Sequence, residues 1–194
     1  LDKISTKSIH VKTLKNNSNF TTLDGKSRQL KDSDLMICDN DTPMCLAGIF
    51  GGSKHGISND TSSIFLESAY FNPVIIRKSA KYHGLNTDAS FRFERGTSRE
   101  NIEYALKRAA ILICELCDGK ISSDIIDEYP KKPDEVSILL NFEKTNRLIG
   151  QEIPREEIKS ILTSLDFKIN NITETGVGIT VPFYRHDIYR ECDV

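Results

Sequence analysis

The sequence predicts a globular chain that contains both strands and helices, in separate stretches. Over the first 70 residues, short apolar runs are separated by turn residues such as Asn, Asp and Gly. One of these runs alternates with the period-two pattern of a half-buried strand. After residue 71, helix-capping residues precede apolar residues spaced three and four apart. That spacing indicates amphipathic helices.

Five apolar runs in the N-terminal part are interpreted as strands. The first alternates over six residues, and Asp24-Gly25 after the second is a strong signal for a hairpin turn. The last run carries Glu67 in its middle. The five predicted strands cover residues 9–14, 20–23, 35–38, 44–50 and 64–71.

Two helices are predicted next. Asn72 and Pro73 suit an N-cap and a first helical position, and Gly84 suits the left-handed position that ends a helix. Thr97 and Glu100 then have the spacing of a capping box. The apolar residues that follow predict an amphipathic helix over 102–116.

A change of texture near residue 130 predicts a second domain. The stretch 130–134 holds two prolines and three charges, which is typical of a linker. We therefore expect domains at 1–130 and 134–194. The second is expected to contain a strand over 136–140, a helix over 141–149, a helix from Pro154 and a strand over 176–182.

Composition excludes several classes of protein. The 26 basic and 28 acidic side chains give a net charge of −2, which excludes a basic nucleic-acid tail and an acidic solvating protein. No run of 18 apolar residues exists, so we expect no membrane segment. The five cysteines are an odd number without framework spacing and indicate a reduced, cytosolic setting. The start at Leu1 rather than Met suggests a piece of a longer protein.

The near-neutral total conceals one basic stretch. Residues 76–108 carry a net charge of +4, whereas residues 109–194 carry −6. The basic stretch could face the phosphates of a nucleic acid, or it could be a solvated face with salt bridges. Its cations are centred on Arg77, Lys78, Lys81, Arg92, Arg95 and Arg99.

A few residues could carry chemistry. Glu67, among apolar neighbours, either points to solvent from a sheet or faces a pocket, where a buried carboxylate would need a partner. Near the end of the chain, Asp187 and Asp193 flank Glu191, and such oxygen ligands suit Mg²⁺, although acidic residues there are also common without a metal. No pairing of a nucleophile with a base is recognisable in the sequence.

Two long stretches, residues 50–73 (FGGSKHGISNDTSSIFLESAYFNP) and 77–96 (with TDASFRFERG), together with the tail pattern VPxxRxDIxxExD, resemble bacterial phenylalanyl-tRNA synthetase beta subunits. The resemblance runs from Leu1 to Val194 and is specific. It implies an α+β fold, with a mixed-sheet B3/B4 editing module followed by a small, mainly helical B5 module.

In that family, the B3/B4 cleft hydrolyses tyrosine wrongly attached to the phenylalanine tRNA. A hydrophobic pocket for phenylalanine cannot strongly reject an analogue that only adds a hydroxyl, so a second site must read that hydroxyl. The resemblance places Gly51, Glu67, Thr87 and Ala89 in the editing pocket. Glu67 would accept the proton of the tyrosine hydroxyl, Ala89 would leave room for the amino acid, and Gly51 would let the backbone approach it.

The resemblance also implies cofactors and partners. Asp187 and Asp193 match two Mg²⁺ ligands shared with an alpha subunit, in an alpha2beta2 tetramer that binds tRNA(Phe) in the cytoplasm, while ATP binds elsewhere in the enzyme. The family's editing histidine would precede Leu1 and two further glutamates would follow Val194. We therefore expect this piece not to edit by itself. We also expect it to be inactive in aminoacylation, because the resemblance places the aminoacylation site on other modules and on the alpha subunit. The alternative hypothesis is a non-catalytic RNA- or protein-interaction module of the synthetase.

Overall fold

The computed structural model describes residues 1, 3–130, 132 and 134–194, and it contains two compact units, Leu1–Lys120 and Ile121–Val194. Strands and helices occur in both units, which confirms the α+β class. The predicted domain bounds, 1–130 and 134–194, remain predictions. Within the proposed linker at 130–134, Lys131 and Pro133 lie outside the described residues.

The first unit is built on an antiparallel sheet with a short hairpin beside it. Asp24-Gly25 does form the predicted hairpin turn, with Gly25 at a φ of 75°. The predicted strand at 44–50 is interrupted by a turn over 47–49, where Gly48 has a φ of 65°. The sheet order is β1-β4-β5-β6, and β2 pairs with β3. The strands are β1 (Ile9–Thr13), β2 (Asn19–Thr21), β3 (Ser27–Gln29), β4 (Leu35–Asp39), β5 (Thr42–Leu46) and β6 (Phe50–Gly51).

Three helices follow in this unit: α1 (Pro73–His83), α2 (Asp88–Phe93) and α3 (Asn101–Cys117). Asn72 caps α1 as predicted, because its side chain accepts a 2.9 Å hydrogen bond from the Val74 backbone N–H. Gly84 ends α1 in the left-handed conformation, also as predicted. No pattern in the sequence predicted α2, which is only six residues long.

The predicted capping box at Thr97 and Glu100 is wrong. Glu100 is the N-cap of α3 but makes no capping bond with its side chain, and the Thr97 hydroxyl is buried without a hydrogen-bond partner in the described structure. The capping box forms instead at α2, between Thr87 and Ser90. It escaped detection because serine takes the place of the usual Glu or Gln at the third helical position.

The helix α3 has the predicted position, and its side chains are at most half-buried. None of its residues is buried, and Leu116 is 81% exposed. The helix α3 has 17 residues. No helix in the described ranges is long and apolar enough to cross a membrane.

The predicted strand at 64–71 is also wrong. The sequence of this segment alternates like that of a strand, but the segment pairs with no strand and belongs to no regular element. Its apolar side chains instead line two cavities, and Phe71 packs edge-on against Phe93 at 5.0 Å between ring centroids. A segment between two cavities can keep the period-two pattern of a strand without the hydrogen-bond ladder.

The second unit combines a three-stranded antiparallel sheet with two helices, so its sheet is nearly as large as its helical part. Strand β8 was not identified from the sequence. Asn141 caps the first helix by accepting a 2.9 Å hydrogen bond from Lys144 N–H, and Gly150 ends that helix. The order is β7-β9-β8, with β7 (Ser137–Asn141), α4 (Phe142–Ile149), α5 (Arg155–Ser164), β8 (Lys168–Ile172) and β9 (Gly176–Thr180).

A buried carboxylate attaches α1 to the sheet of the first unit. Asp34, only 1% exposed, directly precedes β4. It accepts hydrogen bonds from the Ser79 hydroxyl at 2.6 Å and the Lys31 backbone N–H at 2.8 Å, and it contacts His83 Nε2 at 2.7 Å. Because a buried carboxylate is costly without such partners, this arrangement fixes α1 against the loop before β4.

Replacing Asp34 with alanine is expected to destabilise the chain by about 3 kcal/mol, because the buried Ser79 and His83 groups lose their shared partner. Urea unfolding would measure this change. The control is Asp32→Ala, which removes an exposed carboxylate two residues away and should change stability by less than about 0.5 kcal/mol. Equal stabilities for the two variants would contradict the assigned role of Asp34.

Candidate functional site

The four residues predicted for the pocket line one open cleft of about 1040 Å³ in the first unit. Its walls come from β6 and the turn before it, from the irregular segment 67–71, and from α2 with its N-cap. Gly51 lies in β6, Glu67 in the irregular segment and Ala89 in α2, and Thr87 is the N-cap of α2. The sequence pattern therefore selected residues that share one concave surface, although they are up to 38 positions apart.

Thr87 connects two walls of the cleft. Its hydroxyl donates a 2.7 Å hydrogen bond to the Ile49 carbonyl, in the turn before β6. The same oxygen accepts a 3.0 Å hydrogen bond from the Ser90 backbone N–H and so caps α2. Both bonds are internal, so this hydroxyl holds the cleft in shape.

Glu67 has no such partners. The side chain reaches solvent through the cleft, yet the surrounding protein removes enough water to raise the pKa of its carboxyl above the ordinary 4.5. Loss of hydration is the only cause of this shift. Among the described residues, no donor or cation forms a hydrogen bond or ion pair with it. Glu67 is therefore an acceptor that a ligand could satisfy.

A second cavity of about 760 Å³ shares part of its lining with this cleft. Glu67, Ala69, Gly51 and Cys45 line both cavities. Burial raises the pKa of the Cys45 thiol to about 12, and the charge of Glu67 adds to the effect. The thiol therefore stays protonated and acts as part of the wall, not as a nucleophile.

Gly51 and Ala89 contribute space in different ways. A Cβ on Gly51 would lie 2.9 Å from the Leu23 Cδ1 atom, so glycine lets Leu23, a residue that lines the second cavity, pack against the backbone. Ala89 is half-buried on α2, where its single methyl group leaves the cleft open.

The sequence predicted only some of the remaining residues that line the cleft. Arg92 and Arg95, identified in the basic stretch, line it together with Thr97, Ser98 and Asn101. The spacing of Thr97 suggested a helix cap, so its place in the cleft was missed. The remaining cations of the basic stretch differ in setting: Arg77, Lys78 and Lys81 are exposed on α1, and the Arg99 guanidinium lies 4.1 Å above the Tyr70 ring.

The carboxylates predicted to bind metal are engaged by protein groups. Asp187 accepts two hydrogen bonds from Arg185, at 3.0 and 2.9 Å, which lower its pKa. Asp193 is bound by Arg190 at 3.0 Å, and its pKa falls to about 2. Glu191 turns away to accept from the Asn141 N–H at 2.8 Å.

In the described part of the chain, no three His, Cys, Asp or Glu side chains form a group able to hold a metal ion. Arginine side chains bind both carboxylates in this arrangement, and the metal assignment of Asp187 and Asp193 remains a prediction.

Comparisons with known proteins agree with both units. Residues 1–118 match the family described as the B3/4 domain, and residues 138–194 match the tRNA synthetase B5 domain. The phenylalanine–tRNA ligase beta subunit of Bacteroides thetaiotaomicron is 50% identical over 192 residues, which are 99% of this chain and 23% of that protein. The subunit of Fusobacterium nucleatum is 39% identical over 194 residues, or 100% and 24%. The chain thus spans about a quarter of the length of these curated relatives.

We expect the pH dependence of stability to reveal the setting of Glu67. A carboxyl whose pKa is raised in the folded state binds its proton more tightly there, so its ionisation costs stability as the pH rises from about 4.5 through the raised pKa. Glu67→Gln should remove this cost. The variant should be more stable than the parent chain at pH 7, and the difference should shrink towards pH 4.5. Thermal unfolding at several pH values measures it, and a difference that grows on acidification would contradict the assignment.

Proposed function

The chain belongs to the B3/4 domain family and continues into a tRNA synthetase B5 domain, and from this premise we propose that its cleft is a proofreading site. The reaction is hydrolysis of the ester between tyrosine and tRNA(Phe), within a phenylalanine–tRNA ligase. Water attacks the ester carbonyl, and free tyrosine and uncharged tRNA(Phe) are released.

The observation that carries this proposal is the unpartnered carboxylate of Glu67. Tyrosine differs from phenylalanine by one hydroxyl group, which can donate a hydrogen bond. A partly dehydrated acceptor gains a partner from tyrosine and none from phenylalanine. Sites that bind a hydroxyl in this way reject the analogue lacking it far more strongly than apolar pockets reject an added hydroxyl. Glu67 is therefore proposed as the residue that selects tyrosine for removal.

The other lining residues give this carboxylate its setting. The Thr87 hydroxyl is hydrogen-bonded to the Ile49 carbonyl and the Ser90 N–H. We therefore assign Thr87 to stabilising the wall of the cleft rather than to binding tyrosine. Ala89 keeps the cleft wide enough for an aromatic amino acid, and Gly51 lets that amino acid approach the backbone. Cys45, protonated and next to Glu67, presents an apolar surface to the ring.

The wider assembly is part of the same proposal. The curated relatives are beta subunits, so a partner alpha subunit, arranged as an alpha2beta2 tetramer, and tRNA(Phe) are the proposed partners. ATP would be bound elsewhere in that ligase, in the cytoplasm. If Mg²⁺ is bound, Asp187 and Asp193 are the ligands proposed from this chain, and they would first have to leave Arg185 and Arg190.

Exchanging Glu67 for alanine in the whole ligase tests the proposal. Hydrolysis of Tyr-tRNA(Phe) should fall roughly 10- to 150-fold in kcat/KM, the range that corresponds to losing a hydrogen bond to a charged group. Aminoacylation with phenylalanine should not change. Glu103→Ala is the control, because it removes an exposed carboxylate of α3 outside the cleft. Unchanged hydrolysis with normal tRNA binding would favour the non-catalytic interaction module.

Ala89→Trp should fill the cleft and abolish hydrolysis of Tyr-tRNA(Phe). Because the residue faces the open cleft, the expected loss of stability is only the helix-propensity difference, about 0.5 kcal/mol. Ala110→Trp is the matched control, a half-buried alanine of α3 outside the cleft. Tyr-tRNA(Phe) hydrolysis and melting temperature are measured together, and a large fall in melting temperature for Ala89→Trp would make Ala89 a packing residue instead.

A further inference from the structure

One face of α1 carries cations and no acid. Lys81 lies four positions after Arg77 and three after Lys78, so the three side chains project from one side of the helix. All three residues are exposed, and α1 contains no Asp or Glu. The solvent side of α1 therefore carries positive charge that the helix itself does not balance.

Stability of the helix does not explain these cations. Like charges four positions apart weaken a helix, whereas a cation three or four positions from an acid strengthens it. Helices α3 and α5 follow that rule. Lys107 binds Glu103 at 2.7 Å in α3, and Lys159 binds Glu156 at 2.8 Å in α5. In the described ranges, no side chain forms a hydrogen bond or ion pair with the three cations of α1.

The helix dipole accounts for only one of the three cations. Its negative end favours a cation in the last turn, where Lys81 lies. Arg77 and Lys78 lie in the middle of the helix, and the effect falls off beyond the last turn. Local pairing and the dipole therefore leave two of the three cations unexplained.

The loop before β4 adds a fourth cation at a fixed place. The ammonium group of Lys31, an exposed residue, lies 3.8 Å from the centroid of the Tyr82 ring at the end of α1. The Lys31 backbone N–H donates to Asp34, which also accepts from Ser79 of α1. This loop and α1 together expose four cations and one carboxylate, Asp32. The four cations are here called the basic face: Lys31, Arg77, Lys78 and Lys81.

The spacing of the basic face matches a phosphate backbone. An α-helix rises about 1.5 Å per residue, so Arg77 and Lys81 are about 6 Å apart along its axis. A nucleic-acid duplex carries one negative charge per about 1.7 Å of its axis, so it presents roughly three or four charges over that length. The basic face has enough cations to neutralise them.

The aromatic ring beside these cations favours base-paired RNA over single-stranded RNA. Unpaired bases bind by stacking on aromatic rings that are free to receive them. The Tyr82 ring is engaged by Lys31 and by the His83 ring, which lies 4.8 Å away between centroids. Base-paired RNA is recognised mostly through its shape and its backbone. A set of fixed cations without a free ring suits that form of recognition.

We propose that the basic face binds the backbone phosphates of a base-paired stem of the tRNA. The proposal rests on the proposed function, which identifies tRNA as the substrate. The basic face is separate from the cleft, because none of its four cations lines the cleft. Phosphate contacts position a nucleic acid without reading its sequence. The basic face therefore orients the tRNA on the first unit, while the hydrolysis takes place in the cleft.

The salt dependence of tRNA(Phe) binding by the whole ligase tests this proposal. Each phosphate contact to a duplex contributes about 0.9 to the slope of log affinity against log salt, so replacing the three cations of α1 should reduce that slope by roughly 2.7. Between about 50 and 200 mM salt, the Kd of the parent ligase should then rise roughly 40-fold more than that of the variant. The substitutions of this α1 variant are Arg77→Gln, Lys78→Gln and Lys81→Gln.

A matched variant controls for total charge. It removes three exposed cations from other elements of the first unit and should keep the slope of the parent ligase. Glutamine is a good helix former, so both variants should melt close to the parent. Equal slopes in the two triple variants would overturn the basic face. The substitutions of the matched variant are Lys54→Gln, Arg108→Gln and Lys120→Gln.

Short RNAs test which form of RNA binds. A base-paired RNA hairpin should bind the whole ligase more weakly in the α1 variant than in the matched variant. An unstructured single strand of the same length should bind the two variants equally. A loss of binding for the single strand as large as that for the hairpin would contradict the base-paired stem.

Hydrolysis of Tyr-tRNA(Phe) separates this proposal from proofreading. The α1 variant should keep the kcat of the parent ligase and raise KM, because its cations lie outside the cleft. If the parent ligase hydrolyses Tyr-tRNA(Phe) and the two triple variants have equal slopes, the basic face fails and proofreading stands. If the parent ligase does not hydrolyse it but the slopes differ as expected, proofreading fails and the basic face stands.

Discussion

The geometry of the cleft depends on two buried polar connections. The carboxylate of Asp34 holds Ser79 and His83 of α1 against the loop before β4, and the hydroxyl of Thr87 holds α2 against the turn before β6. Asp34 does not line the cleft, whereas Thr87 and Ile49 do. Together the two connections fix the helical wall relative to the sheet, so the cleft exists before any ligand arrives. A preformed site of this kind loses little free energy to ordering when it binds.

Polar groups in this unit fall into two sets with opposite behaviour. Asp34, Thr87 and Arg28 make several internal hydrogen bonds each and have structural roles. Glu67, Thr97 and Arg92 line the cleft with few internal partners or none. Leaving a buried or dehydrated polar group unsatisfied costs free energy, which a stabilising role would not require. Of these three groups only the Thr97 hydroxyl is buried, whereas Glu67 and Arg92 remain open to solvent and to a ligand in the cleft.

Local signals in the sequence predicted much of the fold. Asn72, Gly84 and the Asp24-Gly25 turn were interpreted correctly because capping and turn geometry depend on neighbouring residues. The strand predicted at 64–71 failed because alternation records which side of an extended chain is apolar, and not whether another strand lies beside it. The apolar face of α3 shows the same limit, since periodicity identifies an apolar face but not what covers it, and no residue of this helix is buried.

Some residues of the site were predicted from the sequence and others were not. The resemblance selected Gly51, Glu67, Thr87 and Ala89, which do share a cleft, but no local pattern could place Thr97 there, because its spacing to Glu100 also fits a capping box. The pairing of Asp187 and Asp193 with arginines was equally hidden, since nearby charges of opposite sign are compatible with both a salt bridge and a metal ligand. The arginine partners are only two and three residues away in the chain, so side-chain conformation, which the pattern does not record, decides between the two.

The absence of a partner for Glu67 follows from the task proposed for it. A nearby arginine would stabilise the carboxylate, but it would also occupy the lone pairs that a tyrosine hydroxyl must reach. Full exposure would leave water as the partner, and the hydroxyl would then gain little by replacing it. Partial dehydration without an internal donor lies between these limits. It weakens the hydrogen bonding of water to the carboxylate, and it leaves the carboxylate oxygens free to accept a hydrogen bond from the tyrosine hydroxyl. The raised pKa of Glu67 is thus the physical counterpart of its proposed selectivity.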